Sequence, residues 1–292
     1  MTPVDLPDTT AFYSTPGVLT APGKYAALFD ALPSDLPSLC GIVQGLFLHL
    51  HWAPQYGVPL SQERKDEANL RTVPRQIARI LEMDASPLSV KRVKEKRLIG
   101  TCRDFSTFLA AILRHKGIPA RARCGFGGYF NPGRFMDHWM CEYWKQNEAR
   151  WVQVDAQLDR FQRAALKVDF DTQDMPPGRF LIAGDAWQKC RRGEADPEAF
   201  GIFDMHGIWF IAGNLVRDLL SLNKTELLPW DIWPVMLGWG PDAPFNAEQT
   251  AWLDRVAQVT LAGNAAFAEV RSLYQDERLR EPPGWPLGTF GR

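Results

Sequence analysis

The chain has 292 residues, 46% of them hydrophobic and 23% charged, with a formal net charge of −1. That length suits one large domain or a core with extensions, and the composition is that of an ordinary soluble protein. Dispersed Lys and Arg offer nucleic acid no basic patch, and no apolar run approaches the ~20 residues needed to span a bilayer.

Residues 1–23, rich in Pro and Thr, read as an extended arm that lacks the basic and apolar regions of a secretory signal. Residues 24–32 suit a short helix, stopped by Pro33 and Pro37. Leu39 to Trp52 (LCGIVQGLFLHLHW) reads as a buried helix. On a helix His49 and His51 lie about 200° apart, so only a strand would align them as a metal pair, and no metal site is expected. Gln44 and Trp52 each carry a side-chain N–H that would reach a developing oxyanion, against the plainer role of packing. Ser61 to Leu81 reads as helical material interrupted by Pro74, with Glu63 and Glu67 on a solvated face. Lys91 to Arg97 (KRVKEKR) is the most basic run; solvated linker is the expectation, a contact to an anionic substrate the alternative.

The chain's most informative stretch runs from Gly100 to Asp159. Phe105, Phe108, Leu109, Ile112 and Leu113 recur at helical spacing between Arg103 and Lys116. Thr101 suits the N-cap, Asp104 the first turn, and Gly117 with Pro119 stops the helix. Cys102 then falls where first-turn N–H groups and the positive dipole end favour a thiolate and could receive an oxyanion. Ala120 to Phe126 alternates small or apolar residues with arginines, as a half-buried strand does. Gly127 and Gly128 permit close approach of a backbone or ligand. With Tyr129, they begin a loop, 127–137, expected to line a substrate entrance.

His138–Trp144 and Arg150–Asp155 are aromatic and β-branched runs of strand type, joined by a polar connection of hairpin length. A hairpin symmetric about the 146/147 bond would oppose His138 and Asp155 directly, and a one-residue slip would put them on opposite faces. Cys124 and Cys141 read as buried thiols, and His115 as a cap on its helix's last carbonyls. Five scattered cysteines without CxxC pairs favour reduced thiols and a cytoplasmic location.

A cysteine at a helix start, a strand-leading histidine followed by an aromatic, and the Trp-Val-x-Val-Asp strand (151–155) together resemble the transglutaminase-like cysteine superfamily. The resemblance covers roughly residues 90–160. It implies an α+β, papain/transglutaminase-like core in which the Cys-bearing helix packs on an antiparallel sheet. It further implies Cys102 as nucleophile, His138 as base and acid, and Asp155 as the orienting carboxylate. Trp139 and Ala156 stand where the family often has Ala and Pro, which leaves the triad intact and the specificity open.

Beyond Asp155 the chain turns to helices rich in Trp, Gly and Pro. Short helices are expected over 161–168 and 181–190, another near 211–222, and a last one from an Asn246 cap with Gln249 as its capping-box partner to about Leu273. Arg103, Trp139, Trp187, Asn214, Arg217 and Trp230 are candidates for substrate contact. So is Asp185, although a structural role is the plainer reading of those in the helical half. The expected organisation is an arm and short helix over 1–37, a catalytic core over 38–160, and a helical extension over 161–292 packed on that core as one compact unit.

The chemistry this predicts is thiol-dependent acyl transfer on an amide-containing peptide, protein or small molecule, with no cofactor, metal, nucleic acid or membrane involved. Water as acceptor gives hydrolysis and an amine gives exchange. A silent transglutaminase-like binding module and an amide-forming enzyme of small-molecule biosynthesis are the alternatives. Oligomeric state is not legible.

Overall fold

A computed structural model describes residues 6–286, with side-chain burial from Thr9 onward. The chain is a mixed α+β protein. In order its elements are α1 (Leu6–Tyr13), α2 (Ala26–Asp30), α3 (Leu36–Leu46), β1 (Phe47–His49), α4 (Gln62–Asp66), α5 (Val73–Met83), β2 (Leu98–Gly100) and α6 (Cys102–His115). Then come β3 (Ala120–Gly127), β4 (Phe135–Lys145), β5 (Arg150–Val154), α7 (Arg160–Ala165), β6 (Phe180–Ile182) and α8 (Ala183–Arg191). The series ends with β7 (Phe200–Ile202), β8 (Met205–His206), α9 (Ile208–Leu222), α10 (Ala247–Leu261) and α11 (Phe267–Leu273). Packing divides the chain into two compact units. The first is Thr10–Ala122 with Met140–Met175; the second is Met1–Thr9, Arg123–Trp139 and Pro176–Arg292.

In the first unit, α6 is buried from Cys102 through Arg114. Phe105, Phe108, Leu109 and Ile112 share one apolar core with Leu39, Val43 and Leu46 of α3, Ile77 and Ile80 of α5, and Ala120, Cys141, Val152 and Val154 of the strands. The apolar run expected as one helix to Trp52 divides instead. Helix α3 ends at Leu46, Phe47 is extended (φ −111°, ψ 152°), and β1 pairs in parallel with β2. Phe47 enters the main core, while Leu48 joins Ile99, Ala53, Tyr56 and Val58 in a second small cluster. A short apolar run fits a buried helix or a buried strand equally well, and here the β2 ladder decides. Pro74 does not interrupt a helix; it sits in the first turn of α5, where a missing N–H costs nothing. The expected arm contains α1, and its residues 1–5 lie outside the described chain.

Charges expected on solvated faces are buried here. Glu67 is 6% exposed and accepts from Arg79 Nε (2.9 Å) and the Ile99 amide (3.0 Å). Arg92 is buried and donates to the carbonyls of Pro87 and Val90, and Arg97 donates to that of Arg92. His115 pairs with Asp30 (2.7 Å), not with helix carbonyls. Strand β3 is buried throughout rather than on one face. Its arginines are neutralised, Arg121 by Glu142 at 2.8 Å within the first unit and Arg123 by Asp218 at 2.8 Å within the second.

One six-stranded sheet has the order β6-β3-β4-β7-β8, with β5 on the far half of β4. In the second unit β6 pairs antiparallel with the end of β3, and β7 pairs in parallel with the start of β4. Asn246 and Gln249 form the expected capping box at α10. The single helix expected from there to Leu273 breaks at Gly263 (φ 61°), so α10 and α11 are separate. Among the described residues no helix is long and apolar enough to cross a membrane.

Candidate active site

Cys102 is the first residue of α6 and is 6% exposed. The turn it occupies is held by Asp104. That buried carboxylate accepts from the Thr101 amide (2.8 Å), Thr101 Oγ1 (3.2 Å), Arg103 Nη1 (2.9 Å) and Gln76 Nε2 of α5 (2.9 Å). Gly100 permits this closeness, since a Cβ there would lie 3.1 Å from the Asp104 carboxylate and 3.2 Å from the Phe47 ring. The positive dipole end of a helix so anchored favours anionic atoms.

Burial acts on three of the remaining thiols. All five cysteines are free of disulfides. Burial, helped by the charges of Asp155 and Asp171, pushes the Cys40 thiol up to about 12, and burial pushes Cys190 up to about 11. Burial also raises Cys141 strongly.

Asp155 directly follows β5 and is buried. Its amide donates to Thr172 (2.8 Å) and its Oδ1 accepts from the Gln157 amide (3.0 Å), which fixes the turn. The β4–β5 register differs from the symmetric expectation. Lys145 faces Arg150 and Cys141 faces Val154. That pair ends the ladder, and Asp155 lies one residue beyond it. The cause of the register is the turn: Lys145 accepts from the Glu148 amide and Ala149 takes a left-handed φ of 49°, which moves the hairpin centre by one residue.

His138 lies on β4, 2% exposed, in the second unit. Phe130, Tyr129 and Phe180 surround its ring at centroid distances of 4.9, 6.0 and 6.3 Å. Gly127 and Gly128 make that loop possible: a Cβ on the first would lie 2.7 Å from the Phe130 ring, and on the second 2.9 Å from Phe135. Asp137 belongs to no motif that the sequence marks. It accepts from Asn214 Nδ2 (2.8 Å), and Asn214 Oδ1 in turn accepts from Arg217 Nη1 (3.1 Å). Desolvation holds the Asp137 carboxyl above the usual range, opposed by the charge of Arg217.

The remaining candidates are placed as follows. Gln44 is half-buried and donates to the Leu158 carbonyl (3.4 Å). Trp52 is half-buried before a 3-10 turn. Arg103 is buried, its guanidinium bonded to Asp104 and to the Arg71 carbonyl (3.0 Å). Trp139 is buried in β4, and Trp187 is buried with its indole donating to Asp254 (2.7 Å). Arg217 also donates to the Asp231 carbonyl (3.0 Å), and Trp230 is half-buried. Among the described residues, no three or more His, Cys, Asp or Glu side chains converge as a metal would require.

The family model of the transglutaminase-like superfamily matches residues 75–156, from the first turn of α5 to the residue after Asp155. Residues 75–156 are transglutaminase-like. The matched segment includes Cys102, His138 and Asp155. No curated protein matches the chain. The chain is also similar to the crystal structure of a candidate cysteine protease from Cytophaga hutchinsonii, at 17% identity and a TM-score of 0.35. That match covers 62% of this chain and 48% of the other, so the chain spans about half of its length.

Proposed function

We propose that the protein is a thiol-dependent acyl-transfer enzyme acting on an amide, with Cys102 as nucleophile, His138 as acid and base, and Asp155 as the carboxylate that orients the imidazole. The observation that supports it most is the position of Cys102. It opens a buried helix whose first turn is anchored by Asp104, inside the segment that matches the transglutaminase-like model.

In the proposed reaction Cys102 Sγ forms a bond to the amide carbon, and the carbonyl pair moves onto oxygen. Collapse expels the amine, which leaves with a proton from the imidazolium of His138. The thioester is then attacked by water or a second amine whose proton returns to His138, and collapse breaks the C–S bond and restores the thiolate beside the imidazolium.

The test is alkylation by iodoacetamide against pH, read at each cysteine by mass spectrometry, in the wild type and in His138→Ala. Cys102 is expected to react fastest, with an apparent pKa below the free value of ~8.5, and to lose that advantage in the variant. A Cys102 that behaves like the other thiols in both proteins removes the enzyme reading and leaves a binding module. With an amide substrate, His138→Ala is expected to lower turnover about 10²–10⁴-fold. Added hydroxylamine separates amine transfer from hydrolysis.

A further inference from the structure

His49 is left unused by the triad, and the fold carries it toward the start of α6. Strand β1 runs parallel to β2 with His49 facing Gly100, two residues before Cys102. Phe47 and His49 are two apart on β1 and so share a face. Phe47 packs on Phe105 and Phe108 of α6 at centroid distances of 5.5 and 5.1 Å, whereas His49 lies 6.5 Å from Phe105. Two strand residues advance about 6.6 Å. The step from Phe47 to His49 therefore travels along α6 toward its N-terminus, through 108 and 105 to the next position on that face, Cys102. Residues three apart on a helix have Cβ atoms about 5–6 Å from one another.

The Nδ1 side of the ring has a backbone neighbour. His49 Nδ1 accepts from the His51 amide at 3.2 Å, so the proton of the neutral imidazole sits on Nε2. An imidazole held as an Nε2–H donor beside a helix N-terminus is the group that a developing oxyanion needs. Gln44, read from sequence as a candidate for that role, has an N–H directed to Leu158.

We propose that His49 Nε2 donates a hydrogen bond to the oxyanion formed when Cys102 attacks a carbonyl. This rests on the thiol reading above. As the C–S bond forms, the π pair of the carbonyl moves onto oxygen. The His49 proton stabilises that charge without being transferred.

Two reagents separate this role from others. p-Nitrophenyl acetate acylates a thiol through a tetrahedral oxyanion; iodoacetamide alkylates it by displacement at a saturated carbon, with no oxyanion. Cys102 is followed with both in the wild type, His49→Ala and His49→Gln, the last keeping an N–H near the position of Nε2. The expected result is an acylation rate lowered about 10²-fold in His49→Ala, with alkylation within about threefold of wild type and at least about tenfold recovery in His49→Gln. Unchanged acylation in His49→Ala overturns the proposal. So does a parallel fall in both reactions, which would place His49 behind the thiolate or the fold, or a His49→Gln protein that recovers nothing, which would assign the loss to packing on Phe105. Failure of the thiol reading itself is seen in the wild type alone, as a Cys102 no faster than the other cysteines with either reagent.

Discussion

Asp104 accepts four hydrogen bonds while almost wholly buried, and its donors come from its own helix entrance and from α5. Removing it leaves the Arg103 guanidinium, itself 1% exposed, without its carboxylate partner. Breaking a buried ion pair from one side costs about 3–5 kcal/mol. Asp104→Ala is therefore expected to lower stability by about that much in urea unfolding. Asp137 leads to an expectation about pH. Its carboxyl is raised by desolvation, so the folded chain keeps a proton that the unfolded chain releases from about pH 4 upward. Stability then falls as pH rises between the unfolded and folded values, and the loss is complete above the folded one. Asp137→Asn keeps an oxygen for Asn214 and removes the ionisation. The variant's urea midpoint should gain on wild type as pH rises from 4 toward neutral; a constant difference would show that the carboxyl is not desolvated.

Strand pairings place the harder demands on individual residues. Gly125 faces Ile182 across the β3–β6 ladder, and a Cβ there would lie 2.2 Å from the Leu181 carbonyl oxygen and 2.8 Å from the Phe180 ring. The obstructing oxygen is backbone, so the ladder itself must shift. Overpacking of this kind costs about 1–3 kcal/mol, and Gly125→Ala should lose at least that in thermal or urea unfolding. Phe180 also touches His138, so the same variant tests whether β6 holds the imidazole's surroundings. The helices were legible because their signals are local. Thr101 with Asp104 and Asn246 with Gln249 each act within one turn, and each pair closes as its spacing predicts. Strand β1 was not legible, because its partner β2 lies far along the chain and Phe-Leu-His carries no strand signature of its own. The arginines of β3 misled for the same reason: the carboxylates that permit their burial, Glu142 and Asp218, are remote in sequence. His49 went unrecognised as a donor because its value depends on that β1–β2 pairing.

Across the whole molecule, the mixed α+β class was legible through the resemblance carried by Cys102, His138 and the 151–155 strand, whereas the division into two units was not legible. Strands β3 and β4 each begin in one unit and end in the other, so no linker or change of composition marks the boundary. The thiols give a global test of the cores. Cys40 and Cys141 are both buried in the first unit's apolar core, and both hold their protons well above the free value of ~8.5. The unfolded chain releases those protons as pH passes 8.5, and the folded chain keeps them until far higher pH, about 12 for Cys40. In that window the unfolded state binds fewer protons, so stability must fall as pH rises. Tyr274, raised to about 12 mainly by burial, adds to the fall only where free tyrosine ionises, above about pH 10. Between pH 8 and 10 the thiols therefore dominate. Replacing Cys40 with Ala removes one ionisation for the loss of a single sulfur atom. Its unfolding midpoint should decline less steeply with pH than that of wild type over this range, and Cys40→Ala/Cys141→Ala less steeply still. Parallel pH profiles for all three proteins would mean that neither thiol stays protonated in the folded core.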